Sequence, residues 1–271
     1  MNQFINITVT DYHSLGLLHP DGKLICRSDN CFVLKNCSDS NQRFLAIAVG
    51  SFHSLGLRAD GKVIGWGDNK YGQANCHDER FITLSAGLDH SLGLRTDGKV
   101  IGWGDNSHDQ INCPDQKFIA IAAGAFHSLG LRADGKVIGW GANWHGQLDC
   151  PDEPFIAIAA GGGHSLGLRA DGKVIGWGYN YYGQINCPDE RFITIAVGSY
   201  HSVGLRADGV VICWGDNSDS LLNLTEKFAL PYDFLARINK NIKALCPMPK
   251  YIKMEILEDY TNWQFGNLYY L

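Results

Sequence analysis

A tandem repeat is the feature of this chain that most constrains its fold. Five times, at a constant spacing of 37 residues, the sequence contains Gly-x-x-His-Ser-(Leu/Val)-Gly-Leu-Arg-(Ala/Thr)-Asp-Gly followed by a Trp-Gly pair. A degenerate copy lies 40 residues earlier and carries His13. The five regular copies are marked by His53, His90, His127, His164 and His201. A period of this size predicts one supersecondary unit copied into a stacked or closed array, because no single unit buries its own apolar face.

Within one unit, residues 118–154, the pattern predicts antiparallel strands. The opening Phe-Ile-Ala-Ile-Ala-Ala-Gly alternates branched and small residues, which is typical of a strand. A second strand is predicted at 127–132, an Asp-Gly hairpin at 134–135, and a returning strand at 136–140. Residues 148–151 are either a short fourth strand or an extended connector. Three or four strands per unit predict a β-propeller, since a linear β-solenoid repeats at a shorter period and needs no hairpin in each copy.

Six units assign residues 1–225 to the propeller, with the first unit degenerate. The remaining residues, 226–271, have a different composition. Apolar residues at helical spacing predict a helix over 234–245, and 251–256 and 263–271 are candidate strands. The ring therefore has six blades, or seven if the C-terminal segment completes one.

Composition excludes several classes of function. Charged residues make up 19% of the chain and the net charge is −5, so there is no basic field for nucleic acid. No apolar run approaches the roughly 20 residues that span a bilayer, and we expect no membrane insertion. The N-terminal residues lack the basic start and apolar core of a secretory signal, so export by the general secretory route is not expected.

Four of the nine cysteines, Cys76, Cys113, Cys150 and Cys187, occupy one equivalent position in successive units. We interpret them as reduced thiols in a cytoplasmic, reducing compartment, because adjacent units rarely bring equivalent positions within disulfide distance. No pair has the close Cys/His spacing of a zinc site. No metal and no cofactor are expected.

The repeat also carries a family resemblance. The string Ala-Ala-Gly-x-x-His-Ser-Leu-Gly-Leu-x-x-Asp-Gly-Lys-Val-x-x-Trp-Gly-x-Asn-x-x-Gly-Gln resembles the repeat of the regulator of chromosome condensation, the propeller that exchanges nucleotide on the GTPase Ran. The resemblance is strong over residues 44 to 217 and weak over 4–43, where Cys-Arg-Ser at 26–28 replaces Gly-Trp-Gly at 65–67. It implies a ring of typically seven blades and a protein partner, namely a small GTPase of the Ran or Rab type, with guanine-nucleotide exchange as the consequence.

Short-repeat relatives from intracellular bacteria act on host GTPases. The resemblance therefore also implies a bacterial effector that reaches the host cytoplasm by a non-classical secretion system. A second interpretation, from other short-repeat propellers, is a protein inhibitor or scaffold module. We expect the protein to be a monomer.

Residue types present in every unit are interpreted as parts of the scaffold. By this test Trp66, Trp103, Trp140, Trp177 and Trp214 are predicted to form the core between blades. The five repeated histidines are interpreted as structural. Because matching histidines in the Ran exchange factor lie on the face that meets the GTPase, the resemblance implies that they also contribute to the partner surface. No catalytic residue is predicted, since identical copies present no distinct acid, base or nucleophile.

Residues that vary between units are the candidates for function. If the first strand of each unit runs upward, the loop after it and the loop after Trp-Gly lie on one face, the upper rim, and the Asp-Gly hairpins lie on the opposite face, the lower rim. The lower rim alternates basic and acidic residues and is predicted to be a solvated surface. The upper rim is rich in rings, which favours protein binding. Its candidate residues are Phe52, Tyr71, Asp89, His108, Asp109, Phe126, Trp144, His145, Tyr179, Tyr181, Tyr182, Tyr200 and Asp219.

Overall fold

The computed structural model describes residues 43–75 and 77–216, together with the backbone of three strands between residues 3 and 28. The predicted helix at 234–245, the candidate strands after it, the domain boundary at 225 and Asp219 all lie outside the described residues.

The described residues form six antiparallel sheets of three strands each, and within every sheet the strands lie in chain order. The first sheet contains β1 (Gln3–Val9), β2 (His13–His19) and β3 (Leu24–Ser28). The second contains β4 (Ala46–Val49), β5 (His53–Leu57) and β6 (Val63–Gly67), and the third β7 (Phe81–Ala86), β8 (His90–Arg95) and β9 (Val100–Gly104). The fourth contains β10 (Ala120–Ala123), β11 (His127–Leu131) and β12 (Val137–Gly141), and the fifth β13 (Ala157–Ala160), β14 (His164–Leu168) and β15 (Val174–Gly178). The sixth contains β16 (Thr194–Val197), β17 (His201–Leu205) and β18 (Val211–Gly215).

This arrangement confirms the all-β propeller prediction. Residues 148–151 form a connector and not a fourth strand, because the fourth sheet has three strands. The first strand of each sheet contacts the first strand of the next, which places these strands innermost.

The Asp-Gly hairpins form as predicted. Gly135 has a φ of +83°, which a residue without Cβ adopts most easily. Its N–H donates to the Arg132 carbonyl at 3.0 Å, and the Arg132 N–H donates to the Lys136 carbonyl at 2.9 Å. The Asp134 carboxylate accepts from the Lys136 N–H at 3.1 Å and closes the turn. The sharp reversal keeps the second and third strands in register.

From the second sheet to the sixth, each pair of neighbouring sheets encloses one apolar layer. Trp140, for example, packs in one buried cluster with Leu92 and Leu94 of the preceding sheet and with Phe118 and Ile121 of its own unit. The ring centres of Phe118 and Trp140 lie 5.9 Å apart. The prediction that the repeated tryptophans form the core between blades is confirmed for Trp103, Trp140, Trp177 and Trp214, and Trp66 is buried as well.

From the second sheet to the sixth, a histidine and a serine join each sheet to the next. His127 Nε2 lies 2.9 Å from Ser165 Oγ of the following sheet, and Ser165 Oγ donates to the Gln147 carbonyl at 3.0 Å. Because the single serine proton goes to that carbonyl, the imidazole must donate through Nε2–H. The same contact recurs from His53 to Ser91 (2.8 Å), from His90 to Ser128 (2.9 Å) and from His164 to Ser202 (3.0 Å).

The imidazole fits because a glycine directly follows the inner strand in each of the five regular units. A Cβ atom on Gly124 would lie 2.3 Å from Cε1 of His127 and 2.6 Å from the Gly161 carbonyl oxygen of the next sheet. Such distances are too short for any side chain. The glycine also brings the inner edges together, where the Ala125 N–H donates to the Gly161 carbonyl at 3.1 Å.

Burial corrects one expectation about the histidines. His53, His90, His127 and His164 are 0% exposed and His201 is half-buried. Burial lowers the pKa of His90, His127 and His164 to about 3. The four buried rings therefore do not line a partner surface, contrary to the expectation from the resemblance, and their role is the structural one.

We predict that Trp140→Ala costs about 3–5 kcal/mol of unfolding free energy, because it leaves a cavity between two sheets. Trp144→Ala is the matched control, since Trp144 is 59% exposed and its replacement should cost about 0.5 kcal/mol or less. Urea unfolding of both variants measures the difference. Equal losses would contradict the assignment of Trp140 to the core.

The histidines also predict acid sensitivity. Their pKa falls from 6.5 in the unfolded chain to about 3 in the native state, so the native state binds fewer protons between these values. Their stabilisation is complete above pH 6.5 and is lost as the pH falls towards 3. Near pH 5, three such groups reduce the free energy of unfolding by about 4 kcal/mol per pH unit.

Urea titrations across this pH range measure the slope. His127→Gln should reduce it by about one-third, since one titrating group of three is removed. A free energy of unfolding that stays constant between pH 7 and pH 5 would show that the buried rings do not titrate as expected.

Candidate functional site

The upper rim consists of two loops from each unit, which the structure brings together as predicted. The exit loop follows the inner strand, and the late loop follows the third strand. The Ala142 N–H of one late loop donates to the Phe126 carbonyl of the exit loop at 2.8 Å. The Asp68 N–H makes the same bond to Phe52 at 2.8 Å. Each pair of loops therefore forms one continuous surface.

Two repeated side chains, an asparagine and a glutamine, brace the late loops of the second to fifth sheets. In the fourth sheet's unit, Asn143 accepts from the Leu148 N–H at 2.8 Å and donates to Asp149 at 3.0 Å. The buried Gln147 accepts from the His145 N–H at 2.8 Å. This framework leaves residues 144 and 145 projecting from a defined backbone, and their identities differ between units.

Rings from successive loops contact one another along the rim. His108 lies 4.6 Å from Trp144, and Phe126 lies 5.5 Å from Trp144, as ring-centre distances. A second group is centred on Tyr179, whose ring lies 4.7 Å from His145 and 6.3 Å from Tyr200. Trp144 and His145 are adjacent residues and connect the two groups. We call the whole set the aromatic arc: His108, Phe126, Trp144, His145, Tyr179, Tyr181, Tyr182 and Tyr200.

Contacts between the rings do not bury the arc. Tyr181 is 79% exposed, Trp144 59% and Tyr200 48%. Tyr181 and Tyr182 also contact each other, with ring centres 5.0 Å apart. Large rings on a rigid backbone lose little rotamer entropy when a partner covers them, so this exposure favours binding of a macromolecule.

A glycine that the sequence analysis did not single out makes the arc continuous. Four exit loops carry Phe, Asp, Phe and Tyr at the position that Gly163 occupies in the fifth sheet. A Cβ on Gly163 would lie 3.2 Å from Cδ2 of His145 and 3.4 Å from Cβ of Tyr179. The missing side chain thus leaves room for these two rings to approach. Gly163 could have been found because it is, like the preceding Gly162, a glycine at a position that otherwise varies among larger residues.

The remaining part of the described rim is acidic. The Gln73 amide donates to Asp68 at 3.2 Å and to Asp89 at 3.3 Å. Burial and the neighbouring carboxylates of Asp68 and Asp105 raise the pKa of Asp89. Burial opposes ionisation of Asp105, but hydrogen bonds from Ser107 and Gln110 outweigh it and lower its pKa. We call Asp68, Asp89 and Asp105 the acidic sector.

The other predicted rim residues lie outside the arc. Tyr71 contacts Lys70, whose Nζ donates to the Tyr71 hydroxyl at 3.0 Å and lies 4.7 Å from the ring centre. Phe52 is half-buried beside the acidic sector. Asp109 is exposed in the His108 loop and accepts from Asn112 at 2.6 Å. Sequence reasoning missed Asp68 and Asp105, although both directly follow a Trp-Gly pair.

The lower rim is charge-paired, as predicted. Lys136 lies 2.8 Å from Asp152, and Arg169 lies 2.8 Å from Glu153. Arg132 pairs with Asp134 at 2.7 Å. Exposed pairs of this kind contribute little to stability or recognition. The upper rim is therefore the better candidate for a binding surface.

Among residues 43–75 and 77–216, no group of three or more His, Cys, Asp or Glu side chains is placed to hold a metal ion. In the same part of the chain, no helix has the length and apolar character to cross a membrane. Cys113, Cys150, Cys187 and Cys213 are free thiols. Burial raises the pKa of Cys113 to about 12, which makes it a poor nucleophile.

In a comparison with models of protein families, the chain matches one family. The model of the regulator of chromosome condensation (RCC1) repeat matches residues 44–73, 81–110, 118–147, 155–184 and 192–220. A comparison with curated proteins found no significant match.

Solved structures similar to this one include three from eukaryotes. The CRINKLY WD40 ectodomain of the receptor kinase ACR4 from Arabidopsis thaliana is 28% identical, with a TM-score of 0.70 over 79% of this chain and 80% of that one. Prp20p from Saccharomyces cerevisiae is 20% identical, with a TM-score of 0.69 over 82% and 74% of the two chains. Human WBSCR16 is 19% identical, with a TM-score of 0.68 over 83% and 79%. The two likenesses at 20% and 19% identity show the fold alone.

Proposed function

The chain belongs to the regulator of chromosome condensation (RCC1) repeat family, and from this premise we propose that its upper rim binds a small GTPase of the Ran or Rab type. The propeller is a protein-interaction fold. Prp20p, which is similar in structure, was characterised for its binding to Gsp1p and to histones. That property of a relative supports a protein partner for this chain.

The observation that carries the proposal is the exposed aromatic arc. Trp144 and Tyr181 stand on loops held by internal hydrogen bonds, and more than half of each side chain is open to solvent. Interfaces gain most of their affinity from a few such anchors. The lower rim is charge-paired and carries no exposed aromatic ring among the described residues; the exposed apolar side chains at that end of the sheets are aliphatic, namely Leu45, Ile82, Ile119 and Ile156.

Nucleotide exchange is the proposed consequence of binding. The regular units keep a spacing of 37 residues, so none carries an inserted wedge that reaches towards a nucleotide. Exchange by this chain would act through the rim loops, which would bind the GTPase switch regions better in their nucleotide-free arrangement. The rim, not a catalytic side chain, would supply that difference in affinity.

We propose the cytoplasm of a host cell as the place of action, with the protein delivered there as a bacterial effector by a non-classical route. The family resemblance of the short repeat motivates this proposal. The free thiols of Cys113, Cys150, Cys187 and Cys213 suit a reducing compartment.

A second candidate function uses the same surface. A protein inhibitor or scaffold module would also cover its partner with exposed rings on rigid loops, and the aromatic arc supports that role equally well. The two functions differ in the partner and in nucleotide release.

We predict that the full chain forms a complex with at least one member of a panel of Ran and Rab GTPases loaded with fluorescent GDP. Size-exclusion chromatography reports the complex, and the loss of fluorescence reports nucleotide release. Accelerated release would support exchange. Binding without nucleotide release would support GTPase binding and contradict nucleotide exchange. If no GTPase of the panel forms a complex, the inhibitor or scaffold function is favoured.

The double variant Trp144→Ala/Tyr181→Ala should weaken the complex by more than about tenfold while the melting temperature changes little, since both rings are exposed. The matched control removes the lower-rim pair Lys136 and Asp152 together, which keeps the net charge. It should leave binding unchanged. Equal binding by the aromatic variant and the parent would exclude the aromatic arc as the interface.

A further inference from the structure

We propose that the aromatic arc, together with the carboxylates at its two ends, binds an arginine-bearing segment of the protein partner. This inference rests on the proposed function, in that it takes the upper rim as the partner surface. It goes further by naming the chemistry that the partner must present.

At the position after the Trp-Gly pair, carboxylates lie at both ends of the arc, whereas an alanine and a tyrosine occupy this position in its middle. The residue that directly follows each Trp-Gly pair is Asp68, Asp105, Ala142, Tyr179 and Asp216 in successive regular units. Asp105 lies in the loop of His108, at one end of the arc. Asp216 lies at the other end, where its N–H donates to the Tyr200 carbonyl at 3.0 Å. A ligand that follows the arc therefore meets a carboxylate, then aromatic faces, then a carboxylate.

The charge of the described rim loops points to a cation. Their carboxylates are Asp68, Asp89, Asp105, Asp109, Asp149 and Asp216, and their one lysine is Lys70. Lys70 already contacts Tyr71. A surface with this excess of negative charge attracts basic segments and repels phosphate groups, so nucleic acid is disfavoured.

Aromatic faces select arginine among the cations. A guanidinium group stacks on tyrosine or tryptophan and binds a carboxylate with two parallel hydrogen bonds, whereas an ammonium group is a compact, strongly hydrated charge. Within the rim itself, the Lys70 ammonium lies over the ring of its neighbour Tyr71, 4.7 Å from the ring centre. The stretch from Tyr181 through Tyr200 to Asp216 offers both ring faces and a carboxylate.

A buried amide beneath the tyrosines favours a peptide as the carrier of the arginine. Gln184 is fully buried, and its Oε1 accepts from the Tyr182 N–H at 3.0 Å. Its Nε2 has no hydrogen-bond partner among the described residues. The equivalent amide of Gln73 donates to Asp68 and Asp89. A main-chain carbonyl of a bound segment would give Gln184 the acceptor that its position otherwise lacks.

The experiment measures binding of short fluorescent peptides to the full chain by anisotropy. The probes are built from repeated Gly-Ser-Arg, Gly-Ser-Lys, Gly-Ser-Gln or Gly-Ser-Glu and differ only in the third residue. We expect the arginine peptide to bind most tightly, the lysine peptide several-fold more weakly, and the glutamine and glutamate peptides not measurably. Added salt should weaken the arginine complex, because part of the attraction is ionic.

Variants assign the binding to the arc. Tyr181→Ala/Tyr182→Ala should weaken binding of the arginine peptide by about tenfold or more, and Asp216→Asn should weaken it by about fivefold. Asp134→Asn, on the lower rim, is the matched charge control and should change nothing. Equal binding of the arginine and glutamine peptides, or no effect of either arc variant, would overturn the inference.

The outcomes separate this inference from the proposed function. One result is that a GTPase complex forms and depends on Trp144 and Tyr181, while the arginine peptide does not bind. This result would support the proposed function and contradict the arginine inference. The opposite result is that the arginine peptide binds through Tyr181, Tyr182 and Asp216 while no GTPase of the panel forms a complex. This result would support the arginine inference and contradict the proposal of a GTPase partner.

Discussion

The hydrogen bond from each buried histidine to the serine of the next sheet is the contact on which the propeller depends. In one instance His127 donates to Ser165, which donates in turn to the Gln147 carbonyl. His127 and Gln147 belong to one unit and Ser165 to the next. The contact therefore sets the distance between two sheets and also holds the late loop above the first of them. Trp177 adds to the same anchor, since its indole N–H donates to the Gln147 carbonyl at 2.9 Å.

This contact explains why several residue types recur from unit to unit without a function in binding. A buried imidazole must be neutral and hydrogen-bonded, which requires the serine. The ring must also lie against the inner strand, which requires a glycine such as Gly124. The loop carbonyl that accepts the serine proton belongs to a glutamine whose side chain braces the loop, as Gln147 does for His145. One interaction thus accounts for His, Ser, Gly and Gln together.

Most of the fold followed from the repeat, whereas much of the site did not. The period, the Asp-Gly turns and the alternating strands predicted three strands per unit and two distinct rims. Burial of the histidines was not predictable from one unit, because the partner of His127 lies 38 residues away in another unit. The role of Gly163 was not predictable for the same reason. Its missing side chain leaves room for His145 and Tyr179, which belong to two neighbouring late loops. The acidic sector formed by Asp68 and Asp105 with Asp89 was not predicted, because one acidic residue after a Trp-Gly pair does not indicate a cluster. The cluster exists only because the fold places the loops of neighbouring units side by side.

A scaffold held in this way allows the rim to vary without loss of stability. The late loops are anchored through main-chain atoms and through the repeated Asn and Gln side chains, so the exposed positions between them contribute little to folding. Acidic and aromatic residues can then be distributed around the rim by the order of the units alone. The acidic sector comes first in the chain, the aromatic arc follows, and Asp216 ends it. The chemical character of the surface is therefore set unit by unit, while the spacing of its groups is set by the buried histidines beneath it.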